Sequence, residues 1–295
     1  MARPQRIEYP SVWEGKRIKV LKYPTISKVI NQKTDNSRPD PSSSRRLDAM
    51  RPMKNTKLLL LAALLLPPVL TACGKEQMLS ADPVDATLVD ADTGEPLAGV
   101  PVVAYWEVKA GSLAGDSLPC GAASVEEAVT DKDGKFHIPG WGPVKGSCGY
   151  MRQLDPQFYA FKSGYKPLVF MNEPRGPVEA EHSVSDWNGK TVKMHKDPDT
   201  NLKDIGADSY EARFDEFNIS LEIFIVDMPG QCNWKKIPNM LRALSEQQKL
   251  FNAAGTPNGS IASELITVDQ SMQIDAPQCG SPKAFVGDLE KRIDK

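Results

Sequence analysis

Residues 86–106 read ATLV-DADTGEPLAG-VPVVAYW, two apolar runs joined by a loop of turn-forming residues. The runs are short, rich in valine and bounded by glycine and proline, as is typical of β-strands. The loop, residues 90–99, holds two glycines and one proline, which favour turns and disfavour a helix. We therefore predict strands over residues 86–89 and 100–106.

Similar patches continue to about residue 197. Residues 128–130 and 135–139 flank the tetrapeptide Asp131-Lys132-Asp133-Gly134, and Asp-Gly supplies the positive backbone angles that a tight hairpin needs. Further strands are predicted over residues 157–161, 168–171 and, after the Asn188-Gly189 turn, 191–195. Short strands separated by turns at this spacing predict a β-sandwich.

Three segments resemble bacterial carboxypeptidase-regulatory-like domains, which are related in fold to transthyretin. They are VDADTGEPLAGVPV at residues 89–102, TDKDGKF at 130–136 and KSGY at 162–165. The resemblance implies a mainly β chain with a transthyretin-like β-sandwich over residues 83–198, and it implies no chemistry. The insertion between Trp106 and Val129, which carries Cys120, is longer than such domains usually have.

The pattern becomes helical after about residue 208. Apolar residues spaced alternately four and three apart predict a first helix, which Pro229-Gly230 ends: Tyr210, Phe214, Phe217, Leu221, Phe224 and Met228. A strand over residues 219–225 is the competing interpretation. A second helix begins near Pro238, carries a stripe of Met240, Leu241, Leu244 and Phe251, and ends before Gly255. The sequence thus predicts a smaller C-terminal helical region, residues 199–295, with an irregular tail.

Residues 53–72 have the pattern of an export signal. Lys54 and Lys57 precede the apolar run 58–66, and Leu70-Thr71-Ala72-Cys73 resembles the site at which bacterial lipoprotein precursors are cut. The resemblance implies that Cys73 carries lipid, including palmitate-type chains, and that residues 73–82 are a tether. Gly74 implies sorting to the outer membrane, facing the periplasm or the cell surface. A transmembrane anchor is the alternative, but it needs about 20 apolar residues.

The charge of the chain changes sign at the predicted cut. Of 36 basic and 38 acidic residues, 14 and 5 precede Cys73, which leaves 22 and 33 after it and a net charge of −11. A domain so acidic is expected to repel nucleic acid. Residues 1–52, with six prolines and twelve basic residues, are predicted to be an upstream or unstructured segment.

Four cysteines remain once Cys73 is assigned to lipid, namely Cys120, Cys148, Cys232 and Cys279. An even number in an oxidising compartment predicts two disulfides. Three connectivities are possible, and the organisation of the chain favours Cys120 with Cys148 and Cys232 with Cys279. Zinc binding is disfavoured because no Cys-x-x-Cys pair occurs.

No motif for common catalysis is found, so we predict no catalytic residue, metal or cofactor. The three histidines, His137, His182 and His195, occur in no His-x-His or His-x-x-Glu spacing. Zinc carboxypeptidases, transthyretin-like hydrolases and the related intradiol dioxygenases, which use two Tyr and two His for iron, are therefore disfavoured. The carboxylates near Glu179, Glu181 and His182, and those of the pairs Asp131/Asp133 and Asp90/Asp92, are expected to be loop or turn residues.

Aromatic residues are the remaining candidates for binding, although most are expected in the core: Tyr105, Trp106, Trp141, Tyr150, Phe158 and Tyr159. Trp141 and Tyr150 flank a glycine-rich segment that we predict to be an exposed binding loop. The function predicted is that of a lipid-anchored, non-enzymatic envelope module that binds an unknown protein, peptide or glycan. The alternatives are an assembly subunit resembling the outer-membrane lipoprotein of type VI secretion systems and a hydrolase of unrecognised type.

Overall fold

The computed structural model describes residues 77–110, 118–146, 149–152, 154–174, 179–199, 202–203, 206–226, 229–256 and 259–292. The chain divides into two units, residues 1–71 and 72–295, and every described residue belongs to the second. The predicted signal and Cys73 lie outside the described residues. The described part is mainly β, with three sheets followed by a helical region.

The strands, in chain order, are β1 Met78–Ala81, β2 Val84–Asp90, β3 Pro101–Ala110, β4 Leu118–Val129, β5 Lys135–Ile138, β6 Trp141–Lys145, β7 Tyr150–Arg152, β8 Gln157–Ala160, β9 Leu168–Phe170, β10 Glu179–Ala180, β11 His182–Ser183 and β12 Thr191–Met194. The helices are α1 Tyr210–Ile225, α2 Pro238–Ala254, α3 Ile261–Thr267, α4 Asp269–Asp275 and α5 Pro282–Lys291. Short 3-10 turns lie at Pro229–Gln231, Asn233–Lys236 and Pro277–Cys279.

Strand β3 is the centre of a six-stranded sheet, which we call the central sheet. One edge of β3 pairs along its length with β4, and the other pairs first with β8 and then with β7. Strand β9 extends this sheet beyond β8, and β10 extends it beyond β7. Two three-stranded sheets, of order β11-β1-β6 and β12-β2-β5, complete the β part.

The side chains of β3 alternate between two hydrophobic cores. Val102, Ala104 and Trp106 belong to a β core that draws residues from all three sheets. Val103 and Tyr105 belong to a helix-side core shared with the helical region. A strand buried on both faces reads as one unbroken apolar run, which explains the sequence PVVAYW at the start of β3.

The segments that carry the family resemblance meet around the loop between β2 and β3. The Asp90 carboxylate accepts hydrogen bonds from the Thr93 amide (3.0 Å) and from the Tyr165 hydroxyl (2.8 Å). These bonds hold the pKa of Asp90 well below its usual range. Thr130 donates to the Leu97 carbonyl (2.6 Å). These residues therefore fix a loop, as predicted, and no ligand is needed to explain them.

Several predictions for the β part are wrong in detail. The residues on either side of Asp133-Gly134 form strands and a turn, but β4 pairs with β3 and β5 pairs with β2, so the turn joins two sheets and is not a hairpin. Residues Met78–Ala81 form β1 within the predicted tether, since Leu79 and Ala81 are buried in the β core. The described residues of the insertion, 107–110 and 118–128, belong to β3 and β4, which pair with each other.

The predicted first helix, with apolar residues from Tyr210 to Met228, is confirmed over residues 210–225, Met228 lies outside the described residues, and the competing strand is wrong. Tyr210, Phe214 and Leu221 are buried, whereas Ile219 and Ile223, on which the strand interpretation depended, are exposed. The helix begins at an N-cap Ser209, whose hydroxyl accepts from the Ala212 amide (3.1 Å).

The second helix is also confirmed, because Gly255 ends α2 in a left-handed conformation (φ 82°). The tail predicted to be irregular instead contains α3, α4 and α5. Helices α3 and α5 begin at serine N-caps, Ser260 and Ser281. Among the described residues, no helix combines the length and the apolar character that crossing a bilayer demands.

Strand β4 attaches the helical region to the central sheet at two points. The Glu127 carboxylate accepts from the backbone amides of Asn239 (3.0 Å) and Met240 (2.6 Å) in the first turn of α2. The Gln231 side chain accepts from the Ala122 amide (2.9 Å) and donates to the Ala122 carbonyl (3.1 Å). Both contacts satisfy backbone groups that are otherwise without partners at a helix start and a sheet edge.

Candidate functional site

The predicted binding loop is replaced by two strands in two sheets. Trp141 opens β6 and Tyr150 opens β7, and both side chains are half-buried. The Trp141 ring packs edge-on against Trp106 with centroids 5.5 Å apart. The strand after Trp141 is exposed, as predicted for this segment, while residues 147–148, including Cys148, lie outside the described residues. Binding at this position stays a prediction.

The predicted carboxylate and histidine candidates are dispersed in the described residues. His182 contacts Ser80 (2.9 Å) and Asp82 (3.3 Å), and His137 contacts Asp85 (2.8 Å), all at exposed positions. The side chain of Glu179 is not described. The described part of the chain brings together no three His, Cys, Asp or Glu side chains able to hold a metal ion.

The structure joins Cys232 to Cys279, the pairing that the sequence favours. Cys120 is also disulfide-bonded, and Cys73 and Cys148 lie outside the described residues. The Cys232–Cys279 bond connects the turn before α2 to the turn before α5 across 47 positions of sequence. The bond therefore links two parts of the helical region that are far apart in sequence.

A concave surface lies where α1 crosses the central sheet. Its larger compartment, about 490 Å³, is lined by β8, β9 and α1, including Tyr159, Val169, Met171 and Phe217. The smaller compartment, about 210 Å³, is lined by β3, β7 and α1, including Tyr105, Glu107, Lys109, Arg152 and Ile223. The two compartments share Gln157, Tyr159 and Ser220 and form one surface, which we call the sheet–helix cleft. Its volume is in the range of small-molecule sites.

Helix α1 leaves the edge of the central sheet uncovered, which is how the cleft arises. The helix packs over β8, where Tyr159 contacts Phe217 edge-on at 5.8 Å. Val169 lies opposite Tyr159 in the register of β8 and β9 but remains 40% exposed. Met171 and Ile223, on the two sides of the cleft, are also exposed. Exposed apolar side chains facing one groove are characteristic of binding surfaces.

The smaller compartment contains a network of charged side chains. Arg152 lies 3.1 Å from Glu107 and 3.4 Å from Asp155, and Lys109 lies 3.5 Å from Glu107. The Asp155 side chain is fully buried, and this burial raises its pKa to about 7 against the opposing charge of Arg152. Burial also raises the pKa of Tyr105 and Tyr159 well above the usual range, so both phenols are neutral.

The opposite end of the cleft is neutralised by structural ion pairs. Arg213 makes two bonds to Asp197, at 2.8 Å and 2.7 Å, and donates a third to the Asp208 carbonyl. This arrangement holds the start of α1 to the chain that precedes it. Lys166 and Glu216 line the same end with opposite charges. Lys109 and Arg152 differ from these residues in that the two cations share one carboxylate, that of Glu107.

The sequence predictions include Tyr105 and Tyr159 but miss the charged residues beside them. Glu107, Lys109 and Arg152 are far apart in sequence and belong to no motif, and only the pairing of β3 with β7 brings them together. One signal was available: the apolar run of β3 gives way to Glu-Val-Lys at residues 107–109, which places charge on one face of a buried strand.

No protein-family model matches this chain. No curated protein matches it. Solved structures show slight similarity. A chlorocatechol 1,2-dioxygenase from Pseudomonas putida is 17% identical with a TM-score of 0.24, over 42% of this chain and 62% of that one. A catechol 1,2-dioxygenase from Pseudomonas arvilla C-1 is 15% identical with a TM-score of 0.25, over 46% and 58%. A streptococcal ancillary pilin is 22% identical with a TM-score of 0.19, over 41% and 30%. This chain thus spans less than two thirds of each of these structures, and similarity at this level assigns neither fold nor activity.

Proposed function

We propose that this chain is a lipid-anchored protein of the bacterial cell envelope that binds a ligand in the sheet–helix cleft. The observation that carries the binding role is the cleft itself, where exposed apolar side chains and a half-buried charged network face the same space. The role is binding rather than catalysis because the sequence holds none of the common catalytic motifs.

The anchoring part of the proposal rests on the signal at residues 53–72 and on Cys73. The disulfide between Cys232 and Cys279 supports a location outside the cytoplasm, since structural disulfides persist in oxidising compartments. Outer-membrane sorting follows from Gly74 by resemblance to other lipoproteins. Several acyl chains on Cys73 then anchor the protein durably, whereas one chain binds a membrane only marginally.

We further propose that the β part is a transthyretin-like β-sandwich of the carboxypeptidase-regulatory-like type. The support is the meeting of the three resembling segments around Asp90, through its bond to Tyr165, and around Thr130. In such an arrangement the β core is shared by the sheets, and the helical region covers the outer face of the central sheet.

Intact mass of the protein extracted from membranes tests the anchoring. The expected species begins at Cys73 and carries acyl chains, and it incorporates labelled palmitate. The variant Cys73→Ser should incorporate none and should leave the membrane fraction on fractionation. A species that retains residues before Cys73 would contradict the lipoprotein assignment.

Site-specific photocrosslinking in cells tests the binding role of the cleft. A photoreactive amino acid replaces Val169 in the cleft, and the control replaces Val184, an exposed valine (57%) after β11 that lines neither compartment of the cleft. We expect a specific protein, peptide or glycan adduct, or a defined small-molecule adduct, at Val169 only. Equal labelling at both positions would remove the support for a cleft-directed ligand.

A further inference from the structure

We propose that the sheet–helix cleft binds a small amphipathic carboxylate, with its anionic head at Lys109 and Arg152 and its apolar body between β9 and α1. This inference rests on the proposed binding role of the cleft. It names one class of ligand, a monoanion on an aliphatic or aromatic body.

The apolar body is accommodated by the larger compartment. Val169 and Met171 alternate along the chain and therefore line the same face of the sheet edge. Phe217 on α1 and Tyr159 on β8 form the aromatic base between them. A ligand lying here covers the apolar groups that α1 leaves exposed, which is the main source of binding free energy for such a ligand.

The anionic head is selected by the balance of charge in the smaller compartment. Lys109 and Arg152 are each 19% exposed, and both lie against the carboxylate of Glu107. With Asp155 protonated, the compartment carries one positive charge in excess. A carboxylate head neutralises this excess and can accept from the guanidinium and the ammonium together. A cationic head would instead increase the excess positive charge.

Monoanions are favoured over phosphate-bearing ligands for the same reason. A phosphate dianion would exceed the single charge that the compartment supplies. The part of the chain after residue 72 is also strongly acidic, with a net charge of −11, so it opposes the approach of polyanions.

Affinity is expected to fall as the pH rises through 7. Asp155 faces Arg152, Glu107 and the neutral phenols of Tyr105 and Tyr159. Loss of the Asp155 proton cancels the excess positive charge, whereas a ligand carboxylate is already ionised well below this pH. The pH dependence therefore originates in the protein and not in the ligand.

Calorimetric titration with octanoate tests the proposal on the protein isolated from the envelope and held in lipid nanodiscs, with empty nanodiscs as the blank. Octanol, octylamine and acetate serve as neutral, cationic and head-only controls. We expect octanoate to bind about tenfold more tightly than octanol or octylamine, the value of one charge-assisted hydrogen bond. Binding should weaken several-fold between about pH 6 and about pH 8.5.

Two isoleucines of α1, one turn apart, provide matched variants. Ile223 lines the cleft, and Ile219 does not line it although it is 61% exposed. Ile223→Glu should weaken octanoate binding about tenfold or more, because it places an anion beside the proposed head, while Ile219→Glu should stay within about twofold. Lys109→Gln should weaken octanoate binding and leave octanol binding unchanged.

Equal affinity for octanoate and octanol, or equal effects of the two isoleucine variants, would overturn the proposal. The outcome also separates it from the broader binding role. A specific adduct at Val169 without octanoate binding leaves a ligand of another class in the cleft. The absence of both results contradicts the ligand class and the cleft as a binding site together.

Discussion

The attachment of α2 to β4 through Glu127 gives the sharpest test of the structure. The carboxylate accepts two backbone amides and the Asn239 side chain (2.9 Å), so it acts as the N-cap that Ile237 cannot provide. Truncation by Glu127→Ala leaves two amides without an acceptor. At the low end of the range for an unsatisfied group, about 1 kcal/mol each, the loss is about 2 kcal/mol.

Burial of the Glu127 carboxylate works in the opposite direction and limits this cost. Its pKa is raised above the usual range, because desolvation outweighs the bonds from Asn239 and Met240. Glu127→Gln keeps one acceptor oxygen and avoids the buried charge, so it should cost only about 1 kcal/mol near neutral pH. The folded state holds the Glu127 proton more tightly than the unfolded state does. The contribution of Glu127 to the free energy of unfolding therefore falls as the pH rises above the ordinary pKa of a glutamate.

Thermal unfolding of the full chain, followed by tryptophan fluorescence, measures these effects. A loss of about 2 kcal/mol in a folded part of this size lowers the Tm by about 4–8 °C. The matched control is Glu126→Gln on the same strand. The Glu126 carboxylate accepts from the Ser124 hydroxyl (2.7 Å) and caps no helix, so this variant should change the Tm little. If the Glu127→Ala and Glu126→Gln variants have the same Tm, the attachment of α2 to β4 through Glu127 is not a determinant of stability.

Three further predictions concern other parts of the fold. Gln231→Glu replaces the donor that faces the Ala122 carbonyl with a second acceptor, and we expect it to lower the Tm more than Gln231→Ala does. Gly134 and Gly94 have left-handed φ values of 72° and 73°, but only a Cβ added at Gly134 would collide with a backbone oxygen, that of Leu88. Gly94→Ala should therefore cost about 1 kcal/mol and Gly134→Ala clearly more, and equal costs in denaturant titration would contradict the close approach. Burial raises the pKa of Asp155 from 3.8 to about 7, so the free energy of unfolding of the wild type should fall as the pH rises between these two values. The free energy of unfolding of Asp155→Asn should depend less on pH over the same range.

Local patterns in the sequence predict the elements that carry their own signals. The helix seam from Tyr210 to Leu221 specifies α1, because a four-and-three spacing puts these residues on one buried face. The glycines of the turns, such as Gly134 and Gly255, occupy left-handed positions as expected. The Cys232–Cys279 bond is the pairing that the organisation of the chain favours among the three possible connectivities.

Long-range pairing and the cleft could not be predicted in the same way. Strand β6 has no apolar alternation, and four of its five residues are exposed, so its pairing with β1 leaves no pattern in the sequence. The turn at Gly134 has the composition of a hairpin, yet the strands on either side find their partners in different sheets. Arg152 meets Glu107 only through the register of β3 and β7, which depends on residues far apart in the chain.

The two-sided burial of β3 has a consequence for biosynthesis. Ribosomes make the chain from the amino end, so Val103, Tyr105 and the other sheet residues of the helix-side core exist before α1 and well before α5. Until the last helices arrive, the central sheet has one apolar face with nothing to cover it, the state in which nascent β-structure aggregates. A premature stop codon before Tyr210 would make that exposure permanent. The order of synthesis thus makes the last helices, which come late in the chain, the ones that remove this aggregation-prone face.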